Sequence, residues 1–166
     1  MKSGLVFLIA ARRCEINNLE QLARTSALAR VVGRLVHALQ KERGISNVYL
    51  ASKGTRFAGQ LKQQILECAD VEAELRASLD NLDTVAGHLG NGARLFSRIA
   101  YLLHGLDGLS DLRQRIRGLT ISARETTGAF VGLSAGLLAV VFEAADSATN
   151  LEISRLLVAM FNFMQG

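Results

Sequence analysis

The stretch of sequence that decides the fold is LARVVGRLVHAL, residues 28–39. Spacings of four and three residues alternate between its apolar positions, which are Leu28, Val32, Leu35 and Leu39. This alternation is typical of the seam along which one helix packs against others in a bundle or coiled coil. Continuing the same count places Glu42, Ser46 and Tyr49 on the seam, so polar side chains follow apolar ones along it.

The rest of the chain also shows helical spacing, and no alternating strand pattern is found in it. Gly54 is placed to end the long first helix, Thr55 to cap the second, and Ser122 with Glu125 to form a capping box. The predicted helices cover residues 4–14, 17–53, 55–85, 93–106, 110–119, 123–145 and 151–165, with loops at 87–92 and 146–150. The chain has no proline, so long helices can run unbroken. We predict an all-α fold: an up-down helical bundle or bundles with a long first helix and no sheet.

Composition indicates one globular domain, because 49% of the 166 residues are hydrophobic and 20% are charged. The net charge of +4 favours a small anion over a cationic ligand, but no dense Lys/Arg stripe indicates a nucleic-acid surface. Cys14 and Cys68 are far apart and are expected to be free thiols in a reducing compartment. The three histidines lack metal-ligand spacing, so no metal or cofactor is predicted.

The N-terminal apolar run, residues 5–11, is similar to the core of a signal peptide. It is short, however, and Arg12 and Arg13 follow it where a small-residue cleavage site would be expected. No stretch is expected to approach the 18 or more apolar residues of a membrane span. We therefore expect a cytoplasmic protein without membrane contact, with the first segment a short buried helix.

Enzyme signatures are not found. The sequence has no GxSxG, no P-loop lysine motif, no GxGxxG after a strand and no HExxH. Asp80 and Asp83 share a helix face, but beside Asn81 they are typical of a solvated surface. We expect the protein not to be an enzyme.

A polar stripe near the end of the first helix is the candidate binding site. It contains Gln40, Arg43 and Asn47 together with Val36, and His37 lies beside it. Arg43 is expected to point towards other helices. A buried, unpaired guanidinium costs several kcal/mol, so it needs a partner: a carboxylate such as Glu42, a residue of another helix, or a bound anion.

An anion suits arginine because the planar guanidinium offers a fork of donors to a planar oxyanion such as nitrate. Gly44 costs the helix about 1 kcal/mol relative to alanine and leaves room for a ligand or a neighbouring helix. On spacing alone, a buried salt bridge with Gly44 serving helix packing is favoured over the anion site.

Residues 35–54, LVHALQKERGISNVYLASKG, resemble the LQxERGxSxxYLxS signature of the NIT (nitrate- and nitrite-sensing) family. Phe57, Leu61 and Gln64 are similar to the family's second helix, and Leu112-Arg113 to its later LR segment; Asn47-Val48 replaces small residues often found there. The resemblance implies two helical bundles and an ERG arginine that contacts nitrate or nitrite. That role falls to Arg43, with support from His37, Gln40, Gly44 and Asn47.

The family also has a second motif, KExAGQERA, which normally follows a helix like residues 156–166. The resemblance therefore covers the first half to two-thirds of such a domain, and we expect the natural polypeptide to continue past Gly166. NIT domains occur between membrane spans in chemoreceptors and sensor kinases, and in cytoplasmic antiterminators before an RNA-binding ANTAR domain. The absence of a span before the ERG helix favours the antiterminator type.

The expected function is a regulatory domain that binds nitrate or nitrite between helices and shifts the conformation of an attached output domain in transcription antitermination. A homodimer is expected, with RNA contacted only through a domain outside this chain. The alternative is a helical dimerisation or protein-interaction module without a small-molecule ligand. The long first helix and the apolar end at Phe161 and Met164 favour that alternative.

Overall fold

A computed structural model describes residues 3–82 and 92–164, with side chains up to residue 146. These ranges contain helices and turns and no strand, which confirms the all-α prediction. The helices are α1 (Gly4–Ala51), α2 (Ala58–Asp80), α3 (Gly92–Asp107), α4 (Leu109–Arg117) and α5 (Ala123–Met164).

The core lies around the second half of α1, which packs against α2 and α5. The predicted seam is confirmed: its four apolar residues are buried, and so are Glu42 and Ser46. Helix α2 runs antiparallel to α1, since Arg34 pairs with Glu74 and Lys41 with Glu67. Helix α3 packs on the other side of α5, where a Cβ atom at Gly105 would lie only 3.0 Å from Leu133. Glycine at that position therefore allows α3 and α5 to approach closely.

The first helix differs from the prediction at its N-terminal half. Helices 4–14 and 17–53 form one continuous helix, because nothing between them breaks the hydrogen-bond ladder and Arg12 pairs with Glu15 across the expected boundary. The first segment is also not buried: the Leu5 and Phe7 side chains are each 64% exposed. Among the described residues the buried part of α1 begins only at Leu28, since the apolar run has no helix packed against it.

The second helix begins later than predicted, and Thr55 does not cap it. The Thr55 hydroxyl donates to the Ser52 carbonyl, and α2 begins after Phe57, whose φ is 65°. Gly54 does end α1 as predicted: its φ is +80° and its N–H donates to the Tyr49 carbonyl. Helix α2 ends at Asp80, before the predicted residue 85. Of the predicted loop at 87–92, residues 87–91 lie outside the described residues, and Gly92 is the first residue of α3.

The last helix is also continuous, although two helices separated by residues 146–150 were predicted. That polar segment has lower helix propensity but contains neither proline nor glycine, so it does not break the helix. The predicted beginning of α5 is confirmed. The Ser122 hydroxyl accepts a hydrogen bond from the Glu125 N–H, and the Glu125 carboxylate accepts one from the Ser122 N–H. The side chains of Phe161 and Met164 lie outside the described part of the structure.

The most apolar 18-residue window within Ala123–Asp146 of α5 has a mean hydropathy of 1.8, so this part of the helix is long and apolar enough to cross a membrane by length and composition. The expectation that no stretch approaches a membrane span was therefore wrong. The pattern was missed because the small residues Gly, Ala, Ser and Thr interrupt the large apolar ones. One side of this segment packs into the bundle through Phe130, Leu137 and Val140.

Candidate functional site

The carboxylate nearest in sequence to Arg43 is already engaged. Glu42 is completely buried and accepts two hydrogen bonds of 2.8 Å from Arg113 of α4, through Nε and Nη2. Burial lowers the pKa of Arg113, but the hydrogen bonds and negative charge of Glu42 outweigh it, so the pKa is raised. The sequence offered Glu42 as a counter-charge for Arg43; in the structure it serves Arg113.

Cys68 and Gln64 of α2 complete the surroundings of Glu42. Burial, together with the charge and hydrogen bonding of Glu42, raises the pKa of Cys68 to about 12, so its thiol is protonated at neutral pH. The buried Gln64 amide donates to the Ala38 carbonyl over 3.2 Å. These residues make the pair part of the core where α1, α2 and α4 meet.

Tyr49 connects α1 to the C-terminal end of α4. Its hydroxyl donates to the Arg117 carbonyl over 3.3 Å. Its ring lies against Gly54, where an added Cβ atom would be 3.2 Å from the hydroxyl oxygen. Glu42 and Tyr49, two residues of the quoted signature, therefore hold α4 in place.

Arg43, the next residue, lies about 100° from Glu42 around the axis of α1. Its side chain is half-buried, and it makes no hydrogen bond or ion pair with any residue that the structure describes. His37, Gln40 and Gly44 are exposed, so the polar stripe follows the edge of the bundle and does not point into it as predicted. The buried salt bridge expected for this arginine is not found among the described residues, because the seam places Glu42 inside with Arg113 as its partner.

The space beside Gly44 is open. A Cβ atom added there would have nothing within 4 Å among the described residues. The packing alternative for this glycine is thus not supported, since no described helix approaches it. The helix accepts a residue that costs about 1 kcal/mol while leaving a free surface next to Arg43.

One turn further along α1, polar groups meet the beginning of α5. The half-buried Asn47 donates from Nδ2 to the Thr127 hydroxyl over 3.0 Å. Three neighbouring buried polar atoms have no hydrogen-bond partner in the described structure: Ser46 Oγ, Asn47 Oδ1 and Thr126 Oγ1. Buried polar groups are nearly always hydrogen-bonded, so these atoms at the α1–α5 contact need an explanation.

The structure thus brings Asn47 to the beginning of α5, with the buried Ser46 beside it and Arg43 one turn before it on α1, and leaves His37 and Gln40 exposed to solvent. The guanidinium of Arg43 and the hydroxyl groups of Ser46 and Thr126 are hydrogen-bond donors of the kind that suit a small oxyanion. Thr126 and Thr127 were missed from the sequence, because threonine at the beginning of a helix is usual and carries no signal of its own. Among the described residues no group of histidine, cysteine, aspartate and glutamate could hold a metal ion.

A separate cavity of about 480 Å³ lies between α3, α4 and α5. Its walls are mostly apolar, with Arg98, Tyr101, Asp111 and Arg115 at polar positions. None of the residues predicted for the site lines it, so the cavity and the Arg43 region are different places on the molecule.

Comparison with known proteins places the signature in a wider match. Residues 34–166 match a family described as nitrate and nitrite sensing. The chain is 35% identical over 156 residues to the nitrate regulatory protein of Klebsiella oxytoca, covering 94% of this chain and 38% of that protein. It also resembles the solved structure of the NasR transcription antiterminator, with a TM-score of 0.74 and 33% identity over 87% of this chain. In both cases the chain spans 38% of the relative's length.

Proposed function

Because this chain belongs to the nitrate- and nitrite-sensing NIT family, a family of regulatory sensing domains, we propose that it binds nitrate or nitrite at Arg43. Binding shifts the conformation of an attached output domain. The similar NasR protein is a transcription antiterminator, and this likeness supports antitermination as the output of the present chain.

The observation that carries the proposal is the free guanidinium of Arg43. The two charged residues before it are both paired across the bundle, Lys41 with Glu67 and Glu42 with Arg113. Arg43 has no such partner among the described residues, and an open space adjoins it at Gly44. A half-buried arginine retains its donors for a ligand, and its fork matches two oxygens of a planar anion.

Ser46 and Thr126 extend the site towards α5. Their buried hydroxyls have no partner in the described structure, and each can donate one hydrogen bond. An anion held by Arg43 and these hydroxyls bridges α1 and α5. It stabilises whichever arrangement of the two helices brings the donors together, and this differential affinity is what shifts a conformational equilibrium.

The likeness to the NasR antiterminator supports the remaining parts of the proposal. The chain acts as a cytoplasmic, non-enzymatic homodimer. RNA is contacted only by a domain outside these residues.

Thermal melting of the 166-residue chain tests anion binding. A ligand at 100 times its dissociation constant adds about 2.7 kcal/mol, or several degrees for a domain of this size. Sodium nitrate or nitrite is expected to raise the melting temperature above that in sodium chloride of equal ionic strength.

Arg43→Ala is expected to abolish the nitrate-specific rise while leaving helicity intact. Arg43→Lys keeps the charge without the fork and should retain only part of the rise. Arg34→Ala is the matched control, since Arg34 is an exposed arginine of the same helix paired with Glu74. A wild-type chain that melts identically in the nitrate, nitrite and chloride salts overturns the proposal.

The second candidate is a helical interaction module without a small ligand. The exposed apolar side of α5 favours it, with Phe142 71% exposed. The two functions are compatible in one domain. If Arg43→Ala gives a normal output response and a substitution on the exposed side of α5 abolishes that response, the chain is an interaction module without a small ligand.

A further inference from the structure

The middle of α5 is apolar on every side but is covered on only one. No residue from 126 to 142 is charged. The inner side is buried in the bundle, whereas Val131, Leu138 and Phe142 are 49%, 45% and 71% exposed. A helix that is apolar all round is normally covered all round, and a contiguous exposed apolar patch marks an interaction site.

The exposed residues of this segment and the half-exposed Ala139 form one stripe along the helix, here called the outer stripe. It consists of Gly128, Val131, Gly132, Ala135, Leu138, Ala139 and Phe142. At 100° per residue these positions fall within about 120° of one another, on the side opposite the buried Leu137. Residues 128, 131, 135, 138 and 142 also repeat at intervals of three and four, the spacing by which two helices pack along a seam.

We propose that the outer stripe is the docking surface for a second copy of this chain, with the two α5 helices antiparallel about a two-fold axis at Ala135. A two-fold interface requires a patch that is complementary to itself. With Ala135 facing its own copy, each residue faces the one equally far on the other side of the axis. Gly128 then faces Phe142, and Gly132 faces Leu138.

The same register places Val131 opposite Ala139, so each large side chain of the stripe meets a small residue. A parallel pair in register would instead place Phe142 against Phe142 and Gly128 against Gly128, crowding one end and leaving a gap at the other. Cores and interfaces favour interdigitation of large and small residues at native density. The order of residues in the stripe therefore selects the antiparallel arrangement.

Charge at the two ends supports the same register. Arg124 and Asp146 flank the uncharged segment, both are exposed, and they lie eleven positions before and after Ala135. Each Arg124 guanidinium consequently faces the Asp146 carboxylate of the other copy. Opposite charges that meet at the rim of an interface fix its orientation and register more than its affinity.

This inference rests on the homodimer of the proposed function, but its surface is independent of the anion site, so dimerisation and nitrate binding succeed or fail separately. Sedimentation equilibrium of the full chain over a range of concentrations is expected to show a monomer–dimer equilibrium. Leu138→Glu should weaken the dimer at least tenfold. Leu66→Glu on α2 is the matched control, since Leu66 is 54% exposed outside the stripe, and it should leave the dimer intact.

Cysteine crosslinking tests the register itself, in a chain carrying Cys14→Ser. Ala135→Cys should form a disulfide-linked dimer on mild oxidation, since this position faces itself. Val131→Cys alone should not crosslink, but should do so when mixed with Ala139→Cys. Arg124→Asp should weaken the dimer, and Asp146→Arg in the same chain should restore it.

Several results would overturn the proposal. A monomer at every concentration excludes the dimer, and a dimer that survives Leu138→Glu lies on another surface. Crosslinking of Val131→Cys with itself excludes the antiparallel register. Flotation of the wild-type chain with anionic phospholipid vesicles, lost in Leu138→Glu, would assign the outer stripe to a lipid surface instead.

Discussion

Glu42 and Arg113 are 71 positions apart in sequence and are joined by two hydrogen bonds of 2.8 Å. The Glu42 side chain is fully buried and that of Arg113 is 11% exposed, so neither charge can turn to water if the other is removed. The pair attaches the short helix α4 to α1 beside the Arg43 region. It makes the glutamate of the signature a structural residue and the arginine next to it the available one.

We expect Glu42→Ala to destabilise the fold by about 3–5 kcal/mol, because it leaves the Arg113 guanidinium buried and uncompensated. Urea unfolding followed by circular dichroism measures this change. Glu74→Ala is the control, since its pair with Arg34 is about half-exposed and should contribute less than about 1 kcal/mol. Equal losses for the two variants would contradict the structural role of Glu42.

Gly44 should tolerate a Cβ atom. Nothing described lies within 4 Å of that position, so Gly44→Ala is expected to stabilise α1 by up to about 1 kcal/mol, as is Gly33→Ala at a similarly open position. Gly44→Leu, by contrast, places a bulky side chain beside Arg43 and should reduce the nitrate-dependent rise in melting temperature. Gly33→Leu should leave that rise unchanged. If both leucine variants reduce the rise equally, Gly44 is not part of the anion site.

Thr126→Val should raise stability in the absence of nitrate by about 1 kcal/mol, because it removes a buried hydroxyl without a partner among the described residues. The neighbouring Thr127→Val should instead lower the stability, since the Thr127 hydroxyl accepts a hydrogen bond from Asn47. If Thr126 donates to the anion, Thr126→Val also reduces the nitrate-dependent rise. A valine variant that is more stable and responds fully would remove Thr126 from the site.

Cys68 should be inert to thiol reagents in the folded protein. Cys14 is exposed and should react at once with a chromogenic disulfide reagent, whereas Cys68 should react only on unfolding. The raised pKa of Cys68, about 12 against a usual value near 9, also predicts a pH effect. The folded state retains this proton while the unfolded state loses it, so the Cys68 contribution to stability is complete below pH 9 and lost as pH rises towards 12. Measuring the free energy of unfolding against pH for the wild type and for Cys68→Ala isolates this contribution.

The capping box of α5 predicts a further pH effect. Hydrogen bonds from the Ser122 hydroxyl and N–H lower the pKa of Glu125, so its contribution to stability is present above its usual pKa and is lost as pH falls through the lowered value. Ser122→Ala should lower the melting temperature by about 2–4 °C and move the Glu125 pKa back upward in an NMR titration. An unchanged Glu125 titration would mean that the box does not form in solution.

The seam of α1 and the ends of several helices could be predicted because they depend on local rules. Spacing alone identified Leu28 to Leu39 as buried, glycine ended α1 at Gly54, and the Ser122–Glu125 pair began α5. The pairing of Glu42 with Arg113 depends instead on which helices meet, and no local pattern encodes that. The exposure of Leu5 and Phe7 was missed for the same reason, because a hydrophobic side chain does not specify its neighbour.

For the candidate site, the signature directed attention to Arg43, whose side chain is half-buried. Helical spacing placed Glu42 on the seam, but only the packing of α4 supplied Arg113 as its partner. That the hydroxyls of Ser46 and Thr126 are buried without a partner among the described residues could not be predicted, because it depends on how α1 and α5 pack. The expectation that the polypeptide continues past Gly166 stays a prediction.

The continuity of α1 has a mechanical consequence. At 1.5 Å per residue, the 48-residue helix extends about 72 Å, and Arg43 lies about 58 Å from Gly4 along its axis. The buried residues of α1 all lie from Leu28 onward, and the part of the helix before Leu28 forms an arm about 36 Å long. A tilt of about 5° about the Arg43 region would swing the tip by about 5 Å, comparable to one helical turn. The arm therefore acts as a lever that converts a small adjustment around Arg43 into a displacement large enough for another protein surface to register.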